Sequence, residues 1–292
     1  MGDSKVKSKH SNFWTRVATG VPLALAAIFL VYLGGWWFTL LVALAVWLAV
    51  SELGTFMRRK GIEPQWYTAV LSSLLLVGGA NFLSYAHFEG LMLLSIIAMG
   101  IGEVCRFGKR RQPLTGAAGT ALLMVYCGWL PAHAVLLRRL QLADAAKGIT
   151  LNWPDLGLAL TGLLLVCCIA TDVGAYGFGK MLGRHLLSPS VSPGKTIEGS
   201  LGGVLAAMLL AWGWSVWCGL PLGHCLALAG VGSVIAQFGD LFESALKRDV
   251  GVKDSSNLLA GHGGALDRLD SFLLAVPFFY AYAVFFFVNS LK

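Results

Sequence analysis

Ionisable side chains are scarce along most of this chain, and the stretch from Phe238 to Ser271 collects them: Asp240, Glu243, Lys247, Arg248, Asp249, Lys253, Asp254, His262, Asp267, Arg268 and Asp270. In a helix, Asp240, Glu243, Ser244 and Lys247 fall at i, i+3, i+4 and i+7 and share one face. Asp267, Asp270 and Ser271 repeat the pattern. Between them lies Gly261-His262-Gly263-Gly264, which lets bare backbone approach a ligand just before a new helix begins, where N–H groups favour phosphate. Carboxylates on converging helix faces, beside lysines, arginines and such a loop, suit a divalent cation holding a polyphosphate. Mg²⁺ takes carboxylate oxygens together with substrate phosphates. The chemistry indicated is metal-assisted phosphoryl transfer.

The elements that must position these groups are membrane helices. Of 292 residues, 57% are hydrophobic and 13% charged, and the mean hydropathy is +0.71, which excludes a soluble globule with a polar surface. Apolar runs near 17–33, 36–56, 66–85, 89–105, 116–137, 156–178, 198–219, 222–239 and 266–289 predict an all-α, polytopic integral membrane protein of about nine transmembrane helices. The chain divides into a basic cytoplasmic tail (1–16), N-terminal transmembrane helices (17–137), an external loop (138–155) and a C-terminal transmembrane catalytic region (156–292). Asn152-Trp153-Pro154 predicts an aromatic interface anchor in that loop. The first apolar run has no small-residue cleavage site at its far end, so it is expected to stay attached.

With Met1 inside, eighteen of the twenty-two lysines and arginines fall on the cytoplasmic side, in accord with the positive-inside rule. The net charge of +7 then reflects orientation and attraction to anionic lipid. Scattered over loops, it does not point to nucleic acid. Six cysteines without metal-ligand spacing read as buried free thiols.

The same orientation places Glu52, Glu103, Asp172, Glu198, Asp240, Glu243, Asp267 and Asp270 at the cytoplasmic ends of different spans. The outer side holds Glu89, Asp144 and Asp155, all in predicted loops. Glu52 and Glu103 read either as interfacial carboxylates or as buried partners of a cation. Asp172, within an apolar run, reads as functional because an ionised carboxylate at bilayer depth costs roughly 2.5–3.5 kcal/mol on insertion scales. Gly174, Gly177, Gly179 and Gly183 follow it, with Lys180 and Arg184. Then comes Ser192-Pro193-Gly194-Lys195-Thr196-Ile197-Glu198-Gly199-Ser200. Its Gly-Lys-Thr is not a P-loop, since Ser190 stands where the upstream glycine is needed and no strand precedes it. It reads as a loop offering N–H groups and one ammonium at a helix start.

Taken together, Ser244-Ala245-Leu246-Lys247-Arg248, Lys253-Asp254, His262-Gly263-Gly264 and Asp267-Arg268-Leu269-Asp270 resemble the signature of the phosphatidate cytidylyltransferase, or CDP-diacylglycerol synthase, family. The resemblance extends to Asp172 through Lys180, to Ser192 through Gly199 and to Gly239 through Ser244, with Ala260 and Ile197 as departures. It implies transfer of CMP from CTP to phosphatidate, a Mg²⁺ requirement, an active site on the cytoplasmic face of the inner membrane and a homodimer. Asp240 and Asp267 are then expected as principal metal ligands, with Asp270 and Glu243 beside them. Lys247, Arg248, Lys253 and Arg268 are expected to neutralise triphosphate or pyrophosphate, Arg268 alternatively locking Asp240. His262 would hold the glycine loop or meet the leaving phosphate. Lys195 and Ser200 would contact phosphate with Asp172 orienting them, and Lys180, Thr196, Ser244, Gly263 and Gly264 would complete the substrate site. Two other readings stay open: a CTP-dependent enzyme acting on another lipid phosphate or polyprenol, and a secondary transporter, whose site would sit nearer the midplane.

Overall fold

The computed structural model describes residues 20–108, 112–141, 151–256 and 263–289. The helices are α1 (Gly20–Leu33), α2 (Gly35–Arg59), α3 (Trp66–Phe82), α4 (Tyr85–Arg106), α5 (Pro113–Leu122), α6 (Leu130–Arg138), α7 (Leu156–Leu182), α8 (Ile197–Cys218), α9 (Leu222–Asp249) and α10 (Leu266–Ala283). A π-helical turn, Leu123–Trp129, joins α5 and α6 into one rod, and a second one, Val284–Asn289, extends α10. Among the described residues seven of these rods are long and apolar enough to cross a bilayer, while α1 and α3 are shorter apolar helices. The protein is therefore an α-helical polytopic membrane protein, and the predicted count of nine reduces to seven full-length spans plus two short apolar helices.

Helix α8 illustrates why this sequence folds for lipid and not for water. Leu201, Leu205, Leu209, Trp212 and Val216 form an outward apolar row, each more than half exposed. Gly199, Gly203, Ala207, Ala211 and Ser215 form the buried row. Association between helices inside lipid relies on close backbone approach, hence on small residues. A Cβ on Gly203 would press on the Thr171 carbonyl, and one on Gly174 would meet Ala206 and the backbone of Gly202 and Gly203. The glycines after Asp172 therefore serve in part to bring α7 and α8 together. Gly219, at φ 77°, turns the chain after α8 so that α9 starts three residues later.

Three features depart from expectation. Residues 186–196 form a small antiparallel hairpin, β1 (Leu186–Ser188) and β2 (Ser192–Thr196), where a loop was predicted. Two strands of three and five residues are too short for a periodic signal. Glu89 sits in α4 and not in a loop, where Tyr85 hydrogen-bonds to it and its Oε1 is buried. Cys105 is exposed whereas the other five thiols are buried, all of them free. In keeping with the helical spacing of its polar residues, α9 runs ten residues past the apolar span, to Asp249, carrying its polar face about 15 Å beyond it.

Opposite ends of the bundle are tied by different polar contacts. At one end Lys60 pairs with Asp249 at 2.8 Å, joining the ends of α2 and α9. At the other, Arg138 pairs with Asp155 at 3.0 Å and donates to the carbonyls of Val31 and Tyr32. Asp155 also caps α7 by accepting from Leu158 N. Trp153 packs on Trp214 and Trp217 at that same end. Asp144 and the N-terminal tail lie outside the described residues.

Candidate active site

The site lies where the C-terminal part of α7, the hairpin, the polar half of α9 and the first turns of α10 meet. Helices α9 and α10 touch backbone to backbone, since a Cβ on Gly239 would meet the Asp270 carbonyl. That contact sets Asp240 beside Asp270. Both interact electrostatically with Asp172 of α7, so carboxylates from three helices feel one another without closing into a ligand cluster. Asp172 is exposed on α7 and also feels Lys195 and Arg268.

Two lysines supply the positive charge. Lys195, on β2, reaches across to Asp240 Oδ2 at 2.5 Å. Lys247 bridges Glu243 at 2.5 Å and Asp267 at 2.7 Å, with its side chain only 11% exposed. Glu243 is fully buried, and among the described residues its carboxylate pairs with the Lys247 ammonium. A buried acid held by a single cation costs several kcal/mol to desolvate. Such an arrangement is retained where the charge is used.

Asp267 is differently placed. Its Oδ1 meets Lys247, and its Oδ2 accepts from Ser255 N, Ser255 Oγ and Gly264 N, each at 2.8 Å. Gly263, at φ 78°, turns the backbone so that the Gly264 amide can face Asp267. Asp267 thus organises the segment before α10 as well as facing the site.

The remaining predicted residues divide by position. Ser244 donates toward Asp240 Oδ1 at 3.4 Å, at the long limit of a hydrogen bond. Thr196 caps α8 by accepting from Gly199 N. Ser200 offers its carbonyl to Gln237, linking α8 to α9. Arg248 donates to the carbonyls of Val191 and Val252, tying the hairpin turn to the loop after α9. Lys180, Lys253 and Arg268 are exposed, and Arg268, on the first turn of α10, interacts electrostatically with Asp172. His262 lies outside the described residues. Glu198 holds the α7–β1 turn by accepting from the amides of Arg184 and His185 and from His185 Nδ1.

Two residues of the N-terminal half join the site in a way no motif signals. Tyr126, in the π-helical turn, is 2% exposed, and its hydroxyl has no hydrogen-bond partner among the described residues. It interacts electrostatically with Glu243, Asp270 and Asp240. Glu52, from α2, accepts from the backbone of Ala265 and Leu266 and from Ser255 and Ser256. The sequence cue for Glu52 was only an acid at the end of an apolar run. Glu103, the companion acid, instead accepts from Gln65 Nε2 at 2.7 Å within the N-terminal half.

Oxygen donors for a divalent cation here are the carboxylates of Asp172, Asp240, Asp270 and Asp267, the last already engaged by Lys247, Ser255 and Gly264, and the buried Glu243 oxygens. Among the described residues no three acidic, His or Cys side chains converge closely enough to hold an ion as they stand, and Lys195 and Lys247 carry the compensating charge.

A family model described as "Cytidylyltransferase family" matches residues 14–286. The chain belongs to that family and is a membrane-embedded nucleotidyltransferase. Among curated proteins it is similar to a phosphatidate cytidylyltransferase of Synechocystis, at 36% identity covering 91% of this chain and 93% of the relative. It is also similar to one of Bacillus subtilis, at 33% identity covering 91% and 95%, and to the chloroplastic phosphatidate cytidylyltransferase 5 of Arabidopsis thaliana, at 33% identity covering 97% of this chain and 74% of the relative.

Proposed function

We propose that this protein transfers CMP from CTP to phosphatidate, forming CDP-diacylglycerol and releasing pyrophosphate. The carrying observation is the meeting of Asp172, Asp240 and Asp270 with Lys195 and Lys247 at the ends of α7, α9 and α10, within a chain whose full-length relatives bear the name phosphatidate cytidylyltransferase. A phosphate oxygen of phosphatidate attacks the α-phosphorus of CTP, a new P–O bond forms, and the bond to the β-phosphate oxygen breaks. The attacking oxygen is already anionic, so the protein's contribution is alignment and charge neutralisation, not proton abstraction.

Mg²⁺, when bound, would neutralise triphosphate charge, held by Asp240 and Asp267 with Asp270 and Glu243 beside them. Lys247 and Lys195, which pair with those acids, would turn toward phosphate oxygens. Lys253, Arg268, Arg248 and Lys180 surround the opening and attract the polyphosphate; the amides of Gly263 and Gly264, with Thr196, Ser200 and Ser244, line the approach. In this reading the basic loops place the site at the cytoplasmic face of the inner membrane, the two short helices complete nine crossings, and the working form is a homodimer.

The test uses purified protein in detergent with labelled CTP, Mg²⁺ and a panel of lipid phosphates. Label is expected to move to phosphatidate, and chelation is expected to abolish the transfer. Labelling of a polyprenyl phosphate in preference to phosphatidate would reassign the acceptor. Product formation unaffected by chelators would remove the metal.

A further inference from the structure

Helix α10 carries Asp267 and Asp270, yet its first turn is held by a residue more than two hundred positions earlier. The Glu52 side chain, 7% exposed, reaches from α2 to the amides of Ala265 at 3.0 Å and Leu266 at 2.8 Å. Its same two oxygens accept from Ser255 Oγ at 2.9 Å and Ser256 Oγ at 2.6 Å. One carboxylate therefore joins both flanks of the segment between α9 and α10. The fit leaves no room for a side chain at position 264, where an added Cβ would run into Ser255 Oγ and both Glu52 oxygens. Amides at a helix start stabilise an anion through unpaired N–H groups and the helix dipole. Three donors of its own, with the single Ser255 hydroxyl proton shared between it and Asp267, make this a built contact, since a buried acid lacking them is strongly unfavourable.

The second link runs through Asp267. Ser255, fixed by Glu52 through its hydroxyl, donates its backbone amide to Asp267 Oδ2, and so does Gly264. The two backbone amides that orient Asp267, and the Ser255 hydroxyl it shares with Glu52, are on residues that touch Glu52 or lie next to one that does. We infer that Glu52 is a positioning residue for the nucleotidyl transfer: it sets the rotamer and depth of Asp267, and the register of α10, without touching the reacting atoms. This inference rests on the functional reading above. It gives the otherwise anonymous N-terminal helices a defined part in the chemistry.

The test compares Glu52→Ala, Glu52→Gln and Glu52→Asp in the full-length protein. In Glu52→Ala, kcat at saturating CTP and phosphatidate is expected to fall by about 10-fold to 100-fold, the range that sub-ångström to 1 Å misplacement produces. The KM for phosphatidate is expected to stay within twofold of wild type. Glu52→Gln retains one acceptor oxygen for the α10 amides and is expected to recover part of kcat. Glu52→Asp is one methylene too short to reach both flanks and is expected to remain low. Amide hydrogen exchange supplies a readout independent of turnover: it should rise in the peptide covering 263–272 and stay unchanged in α7 and α8. Wild-type kcat in Glu52→Ala would overturn the inference. Exchange rising equally in α7 and α8 would also overturn it, making Glu52 a residue of the fold alone. If the wild-type protein moves no label from CTP to phosphatidate, the functional reading fails, and the exchange measurement still decides whether Glu52 holds Asp267's segment.

Discussion

Two groups of buried polar side chains are used in opposite ways. In α3–α5 one cluster closes on itself. Gln65, 1% exposed, accepts from Thr68 and donates to Met99 O and Glu103, and its amide donates to Thr120, so that α3, α4 and α5 are stapled together. Around the ends of α9 and α10 they are sparsely partnered among the described residues: Glu243 faces Lys247, and Asp240 faces Lys195 with a long contact from Ser244. A satisfied network rigidifies a scaffold, whereas an unsatisfied one holds interaction capacity for a ligand. The N-terminal half is a platform, and the C-terminal half is chemistry mounted on it.

The largest effect that would sharpen this contrast belongs to the acids. Asp240→Asn or Asp267→Asn should lower CTP-dependent labelling of phosphatidate by at least about 10²-fold to 10³-fold, the loss typical when a preorganised electrostatic group is removed. Asp240→Asn is the cleaner test, since Asp267 also supports its own loop. A variant that remains monodisperse in detergent and turns over like wild type would end the metal assignment.

Lys247→Ala comes next and should do two things. It leaves Glu243 and Asp267 without their shared cation, so stability should fall by about 3–5 kcal/mol, as for other broken buried pairs. It should also raise the CTP concentration needed for half-maximal rate. The pair Glu243→Gln with Lys247→Met should regain much of the melting temperature without regaining CTP affinity. Unchanged CTP dependence in these proteins would make Lys247 structural.

Gln65→Leu breaks the N-terminal network and should cost about 1–3 kcal/mol through unpaired buried groups, read as a lower melting temperature. The KM for CTP should not move. A clear KM change would break the division between platform and site. Smallest of all, Lys60→Ala removes an exposed ion pair, worth below ~1 kcal/mol, and turnover should stay within twofold of wild type.

Much of the site was legible before any fold was known. Helical spacing put Asp240, Glu243, Ser244 and Lys247 on one face of a helix, and α9 does run unbroken through all four. Asp172, read as functional within its apolar run, interacts electrostatically with Lys195 and Asp240. The role of Lys195 as a partner of Asp240 was not legible, because the hairpin that carries it is too short for periodicity and its target lies 45 residues away. Nor was Tyr126, whose orientation comes from a π-helical turn that no composition signal marks.

Sequence alone determined the solvent and the chemistry: apolar runs can be stable only as lipid-facing helices, and acids spaced at three and four residues within them can only gather on a face. Tertiary structure alone decided which charges compensate one another and which distant residue holds α10. Glu52 meets Ala265 and Leu266 across 213 and 214 positions. Contacts of that separation depend on how helices cross, and local patterning carries no record of the crossing.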